Sequence, residues 1–386
     1  MAHEIGPTLE VLTRLIAFDT TSRNSNLALI AWIEDYLRAR GVASERVADA
    51  SGEKANLIAL IGPRVEGGVV LSGHTDVVPV DGQPWSSDPW TVTERHGKLY
   101  GRGVADMKSF IAIALAHVDA MLAAPLKRPV LLAFSYDEEV GCLGAPDLIS
   151  RLMEAMPAPA AAIIGEPTSM KVVSGHKSMR SFLVEVEGKE AHSSLVDDGV
   201  SAVMEALKLM QVVADMGVEA RANAPPGTLF SPPGATMTIG RVEGGTALNI
   251  LARKCSFGWD LRTPPEADPD AIEARFREAA AIVDAHIRKH APEGGVRITR
   301  RSNTAGLAPV ADSAAEVLAR ALTGDNETRV VSYGAEAGLF QRAGAPAVLC
   351  GPGSIEQAHQ PDEWIEIAQI KEGARFMRRL IEKLSA

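Results

Sequence analysis

Hydrophobic and polar positions alternate along this chain in two different styles. In LEVLTRLIAF and LALIAWIEDYLRARG, apolar residues recur at the spacing of one helix face, and Gly41 is placed to stop the second segment. NLIALIG, VVLSGHTDVV, PVLLAFSYDEE and AAIIGEP are short apolar runs, and MKSFIAIALAHVDAMLAA predicts one long helix. Apolar strands without alternation, separated by helices, predict an α/β fold with a mixed, mostly parallel sheet and helices on both faces. Ligands bind such sheets beyond the carboxyl ends of the strands.

From about residue 180 the style changes. SFLVEVEG alternates apolar and polar residues, which predicts a half-exposed strand. ATMTIGRVEGG and RKCSFGWDLR predict two more strands, and VSAVMEALKLMQVVADMG a helix. DPDAIEARFREAAAIVDAHIRKH predicts a long helix capped by Asp268. After residue 291 the first style returns. The expected organisation is a catalytic α/β domain, residues 1–179 and 292–386, interrupted by a small α+β domain at 180–291.

With 386 residues and 46% hydrophobic content, the chain can build two cores. A formal charge of -10 argues against non-specific binding to nucleic acid or an anionic membrane. No run of 18 apolar residues or secretory leader is visible. The three cysteines, Cys142, Cys255 and Cys350, are widely spaced, which fits separate buried thiols in a reducing cytoplasm.

The chemistry concentrates after the apolar strands. VVLSGHTD carries His74 and Asp76 on one face of a strand; YGRGVADMKS carries Asp106 before a helix; SYDEEVG carries Asp137, Glu138 and Glu139. AAIIGEP ends near Glu166, and His359 lies in the Gly/Pro-rich stretch LCGPGSIEQAHQPDEW. Three successive acids repel one another and raise each other's pKa, so a nearby cation is needed. Carboxylates and imidazoles without thiolate suit Zn, Co, Mn or Fe. A shared carboxylate would let two ions sit about 3.5–4 Å apart. GRGVADMKS leaves a nucleotide-binding reading open, although Met107 stands where a phosphate loop needs glycine.

Together, SGHTDVVP, GRGVADMK, DEEVG, GEPT, EAHSS and AHQPDE resemble the M20 family of two-zinc amidohydrolases and metallopeptidases. DTTSRNSN, SGHK and YGAEAGLF, with GPGSIEQAHQPDE, are similar to the branch that deacetylates N-acetyl-L-ornithine in arginine synthesis. The resemblance departs at Ser178, where glycine is expected after His176 and Lys177. Alternatives inside the family are desuccinylation of succinyl-diaminopimelate, hydrolysis of another N-acyl amino acid, or dipeptide cleavage.

The resemblance implies the roles residue by residue. Two divalent ions, zinc or alternatively cobalt, are bridged by Asp106, with Glu139 and His359 on one and His74 and Glu166 on the other. Asp76 bonds the outer nitrogen of His74, and Glu138 is the general base. The inserted domain serves as a dimerisation lid in a cytoplasmic homodimer, and its His192 serves the partner's active site by holding the oxyanion. Asn249 and Arg262 contact the substrate, Arg262 through the α-carboxylate. Glu336 is a further candidate, read here from its own chemistry as the partner of the substrate's δ-ammonium. Asp137 receives no role.

Overall fold

The apolar runs form strands whose residues are almost all buried, and such strands need cover on both faces. Residues 5–386 are described by the structure, a computed structural model. The chain divides into two units. The first takes in the chain up to Gly175, Pro309–Val330 and Ala335–Ala386; the second is His176–Ala308 with Val331–Gly334.

The first unit is built on six strands, β1 (Ser44–Ala48), β2 (Ala55–Ile61), β3 (Gly68–His74), β4 (Val130–Ser135), β5 (Pro159–Pro167) and, much later in the chain, Ala347–Gly351. Their order across the sheet is β1, β2, β4, β3, β5, Ala347–Gly351. The last four in that order run parallel, while β1 and β2 are antiparallel additions at one edge. The expected mixed, mostly parallel sheet is therefore present. Helix α1 (Gly6–Ile16) and helix α2 (Lys108–Ala116) pack together beside it. The segment expected as one helix breaks at His117, whose ring Nδ1 lies 2.8 Å from the Ile113 carbonyl oxygen, and Val118–Ala123 continues separately. Phe110 of α2 presses onto β5 so closely that a Cβ on Gly165 would stand 2.0 Å from its ring. Glycine is thus required directly before Glu166.

The second unit holds four antiparallel strands in the order Thr236–Gly244, Lys254–Thr263, Ser178–Glu187, Gly295–Thr304. Alternate residues of the inner strands are buried. Phe182, Val184, Phe257 and Trp259 form its core with Phe276 of the helix Pro269–His290. Asp268 caps that helix as expected, accepting from the N–H groups of Asp270 and Ala271 at 2.8 and 3.2 Å. Ser178 is used in this sheet: its hydroxyl lies 2.5 Å from that of Thr263.

The boundary at residue 291 needs correction. Gly295–Thr304 pairs along Ser178–Glu187, so the second unit runs on to Ala308. The pairing shifts register between Arg300 and Ser302, and that bulge breaks the period of two by which such a strand is recognised.

Candidate metal centre

Four neighbouring parallel strands deliver the candidate residues to one end of the sheet. β3 ends at His74, which lies opposite Ser135 at the end of β4. The acids Asp137, Glu138 and Glu139 follow Ser135, Glu166 lies within β5, and His359 follows Ala347–Gly351.

The buried ring of His74 is held at both nitrogens. Nε2 lies 2.9 Å from Oδ1 of Asp106, and Nδ1 lies 2.9 Å from the main-chain oxygen of Asp76. The expected bond from Nδ1 to the Asp76 carboxylate is corrected here, because that carboxylate stands 3.7 Å away. It accepts instead from the Ser22 hydroxyl at 2.7 Å and from the N–H groups of Glu138 and Glu139 at 3.1 and 3.3 Å. A carbonyl can only accept, so Nδ1 carries the proton and Nε2 is left as the donor atom for a metal. Asp76 holds the turn that presents the acid pair.

The three successive acids point to three different partners. Asp137 adopts φ +54° and grips Lys54 Nζ with both oxygens, at 2.5 and 2.7 Å. Its neighbour Glu138 is buried, and its Oε1 lies 3.3 Å from the thiol of Cys142. Burial pushes the Glu138 carboxyl well above its usual range, and Glu139, Glu336 and Asp106 add to the rise against the opposing charge of His74. Glu139 meets His359, with Nε2 lying 3.1 Å from Oε1 and 3.0 Å from Oε2. Lys54 did not stand out in the sequence, Ser22 lay in the DTTSRNSN motif without a role of its own, and Cys142 read only as a buried thiol.

Asp106 stands between the two imidazoles, Oδ1 on His74 and Oδ2 3.4 Å from Nε2 of His359. One oxygen per histidine is the arrangement a bridging carboxylate needs. Donor atoms of His74, Asp106 and Glu139 all fall within 4.8 Å of one another. Burial works against charge on Asp106, yet bonds to His359 and His74 hold it far below the usual carboxylate range. Asp106 and Glu139 hold His359 up at about 10. Burial alone would lower His74, but Asp106 raises it well above the ordinary imidazole value.

The residues fit divalent metal. Asp106, Glu138, Glu139 and Glu166 bring four carboxylates to a site with two imidazoles, so protons must supply the charge that a cation otherwise would. Glu166 is raised well above its usual range by burial first and then by Asp106 and Glu138. Its Oε1 is buried and finds no hydrogen-bond partner among the described residues. An unsatisfied buried carboxylate oxygen beside imidazole and carboxylate donors is what a metal ligand looks like without its ion.

Four other candidates are not in this cluster. His192, Asn249 and Arg262 belong to the second unit. His192 is exposed with Nδ1 2.8 Å from the Ser194 hydroxyl, Asn249 is exposed, and Arg262 donates to Asp260 at 3.0 Å. Glu336 is in the first unit, where its charge adds to the rise of the Glu138 carboxyl. Its side chain is only 1% exposed, and Oε2 accepts from the Ser72 hydroxyl at 3.2 Å. One oxygen of this buried carboxylate is thus held by β3, and the other, Oε1, finds no hydrogen-bond partner among the described residues.

A buried set of oxygen and nitrogen donors at the carboxyl end of a parallel sheet defines a candidate divalent-metal centre. The match of residues 70–383 to the model of peptidase family M20/M25/M40 places the chain in that family. It is 35% identical over 373 residues to the acetylornithine deacetylase of Myxococcus xanthus, covering 93% of this chain and 92% of that one. Its fold is similar to that of an M20 metallo-carboxypeptidase of Sulfolobus solfataricus, with a TM-score of 0.80, 18% identity and coverage of 98% and 99%. It is also similar to a dinuclear metal-binding M20 peptidase of Bacillus subtilis, at a TM-score of 0.62, 13% identity and coverage of 99% and 98%. Among the described residues no helix is long and apolar enough to cross a membrane.

Proposed function

We propose that this protein hydrolyses the amide bond of an N-acyl amino acid, with N-acetyl-L-ornithine as the substrate, releasing acetate and L-ornithine. The substrate rests on the likeness to the acetylornithine deacetylase of Myxococcus xanthus. The reaction type rests on one observation above all: a buried carboxylate, Glu138, raised well above its usual range beside a metal-type donor set.

Two divalent ions, zinc or cobalt, would be held by Asp106 between Glu139 and His359 on one side and His74 and Glu166 on the other. When bound, such ions acidify water and polarise an acyl carbonyl. Glu138 takes the proton that the attacking water gives up and returns it to the departing amine. A carboxyl raised above its usual range holds a proton more readily, which suits its return to the amine. The Cys142 thiol and the turn held by Asp76 keep this carboxylate in place. Across a homodimer, the exposed His192 donates to the oxyanion in the partner's site, and Asn249 and Arg262 hold the amino-acid end of the substrate. The guanidinium of Arg262 suits an α-carboxylate because its two N–H groups match the two oxygens.

Acetate or amine release should be compared on N-acetyl-L-ornithine, succinyl-diaminopimelate, N-acetyl-methionine and a dipeptide. The highest kcat/KM is expected on the first. A peptidase reading, favoured by the carboxypeptidase likeness in fold, requires the dipeptide to be the best substrate.

A further inference from the structure

Glu363 follows His359 by four residues in the same loop, and its side chain is 1% exposed. The carboxylate does not reach the metal-type donors. It lies under the loop that carries Asp106, where Oε1 accepts from the N–H groups of Ala105 at 2.8 Å and Asp106 at 3.1 Å. Oε2 accepts from the N–H of Gly103 at 3.0 Å and from Nη1 of Arg102 at 2.7 Å. Arg102, equally buried, donates from Nη2 to Oε1 of Gln83 at 2.6 Å. Nε2 of Gln83 then donates to the main-chain oxygen of His359 at 3.1 Å.

These bonds close a ring. It runs from His359 along its own loop to Glu363, across three amides to Asp106 and Arg102, and back through Gln83 to His359. We infer that Glu363 is a positioning residue for the metal centre, setting the spacing between Asp106 and His359, two donors that lie far apart in the chain. A buried carboxylate is tolerated only where it is paired and hydrogen-bonded, and here every partner but Arg102 is a main-chain amide of the Asp106 loop. An anchor needed only for folding could sit anywhere along the loop. This one bonds the amide of the bridging acid itself and lies four residues from the other donor.

The inference rests on Asp106 and His359 being metal ligands, and metal binding to the apo protein tests the two separately. Glu363→Gln keeps the shape but turns an amide NH2 against donors on Arg102 or the loop. Zn2+ affinity, measured by competition with a chromophoric chelator, should fall about 10- to 100-fold, the usual effect of losing such a supporting group. Gln83→Ala, at a half-buried side chain, removes the tie to His359 and the acceptor that Arg102 and Trp85 share, but leaves the Glu363 carboxylate on the Asp106 loop, and should weaken binding less. Leu322→Ala, in the core of the first unit, lowers the melting temperature without touching the ring and should leave Zn2+ affinity unchanged. Failure of the wild type to bind Zn2+ would overturn the ligand assignment and the inference with it. Wild-type binding with unchanged affinity in both Glu363→Gln and Gln83→Ala would overturn the inference alone. If Glu363→Gln does not fold, unchanged affinity in Gln83→Ala is sufficient to do so.

Discussion

Oε2 of Glu139 lies 3.0 Å from Nε2 of His359, although 220 positions separate the two residues in the chain. The adjacent Glu138 makes no such contact and takes a thiol instead. Consecutive residues point their side chains in different directions, so two neighbouring carboxylates can serve one site in two ways. Glu139→Gln should lose bound metal along with activity. Glu138→Gln should keep its metal and lose turnover by about 100- to 10,000-fold, the usual worth of a general base. Metal content and kcat measured on both variants decide the matter, and indistinguishable behaviour would refute the division.

Metal uptake should release protons. His359 is held at about 10, so its ring is protonated in the metal-free protein at pH 7, and His74 is shifted in the same direction. Ligand nitrogens must be free of protons. Calorimetric titration with Zn2+ in buffers of different ionisation enthalpy should therefore show apparent enthalpies that track the buffer. Buffer-independent heats would contradict the raised values.

Stability of the metal-free form should fall as pH rises. His74, His359, Glu138, Glu139 and Glu166 all have folded values above their ordinary ones, so the folded state binds more protons than the unfolded state. Their contribution is complete below the unfolded values, about 4.3 for Glu and 6.5 for His, and is lost as pH climbs through the folded ones. Asp106 acts oppositely, but only at acid pH. Melting curves should show a larger gain from added metal at pH 9 than at pH 6. An equal gain at both would go against the charge balance described for the site.

His192→Ala should keep full metal content and lose about 100- to 1000-fold in kcat, the typical cost of one oxyanion donor. Mixed dimers of this variant with Glu138→Gln should recover part of the activity if each site borrows the histidine of its partner. No recovery would confine His192 to its own chain.

Glu336→Gln offers a contrast between a buried group and a substrate contact. With its carboxylate bound to Ser72 inside the fold, losses should be similar on N-acetyl-L-ornithine and N-acetyl-methionine. A loss confined to the ornithine substrate would instead support a contact between Glu336 and the substrate ammonium.

The sequence by itself determined the mostly parallel sheet and the identity of the acids and histidines at its carboxyl end. Those signals are local: a continuous apolar run needs burial on both faces, and a polar group directly after it must lie at the strand's end. The resemblance of six short motifs then carried the roles. Tertiary structure decided everything that depends on which distant segments meet. It gave Asp137 to Lys54, moved the Asp76 carboxylate from His74 to the turn of the acid pair, and placed Glu336 against Ser72. The fourth strand of the second unit was hidden because a bulge broke its alternation. Glu363 stood in plain view four residues after His359, but its partners are main-chain amides some 260 positions earlier, separated from it by 260, 258 and 257 residues. A main-chain N–H is present at nearly every residue, so no residue type marks which ones a buried carboxylate will hold; only the folded backbone brings them to it.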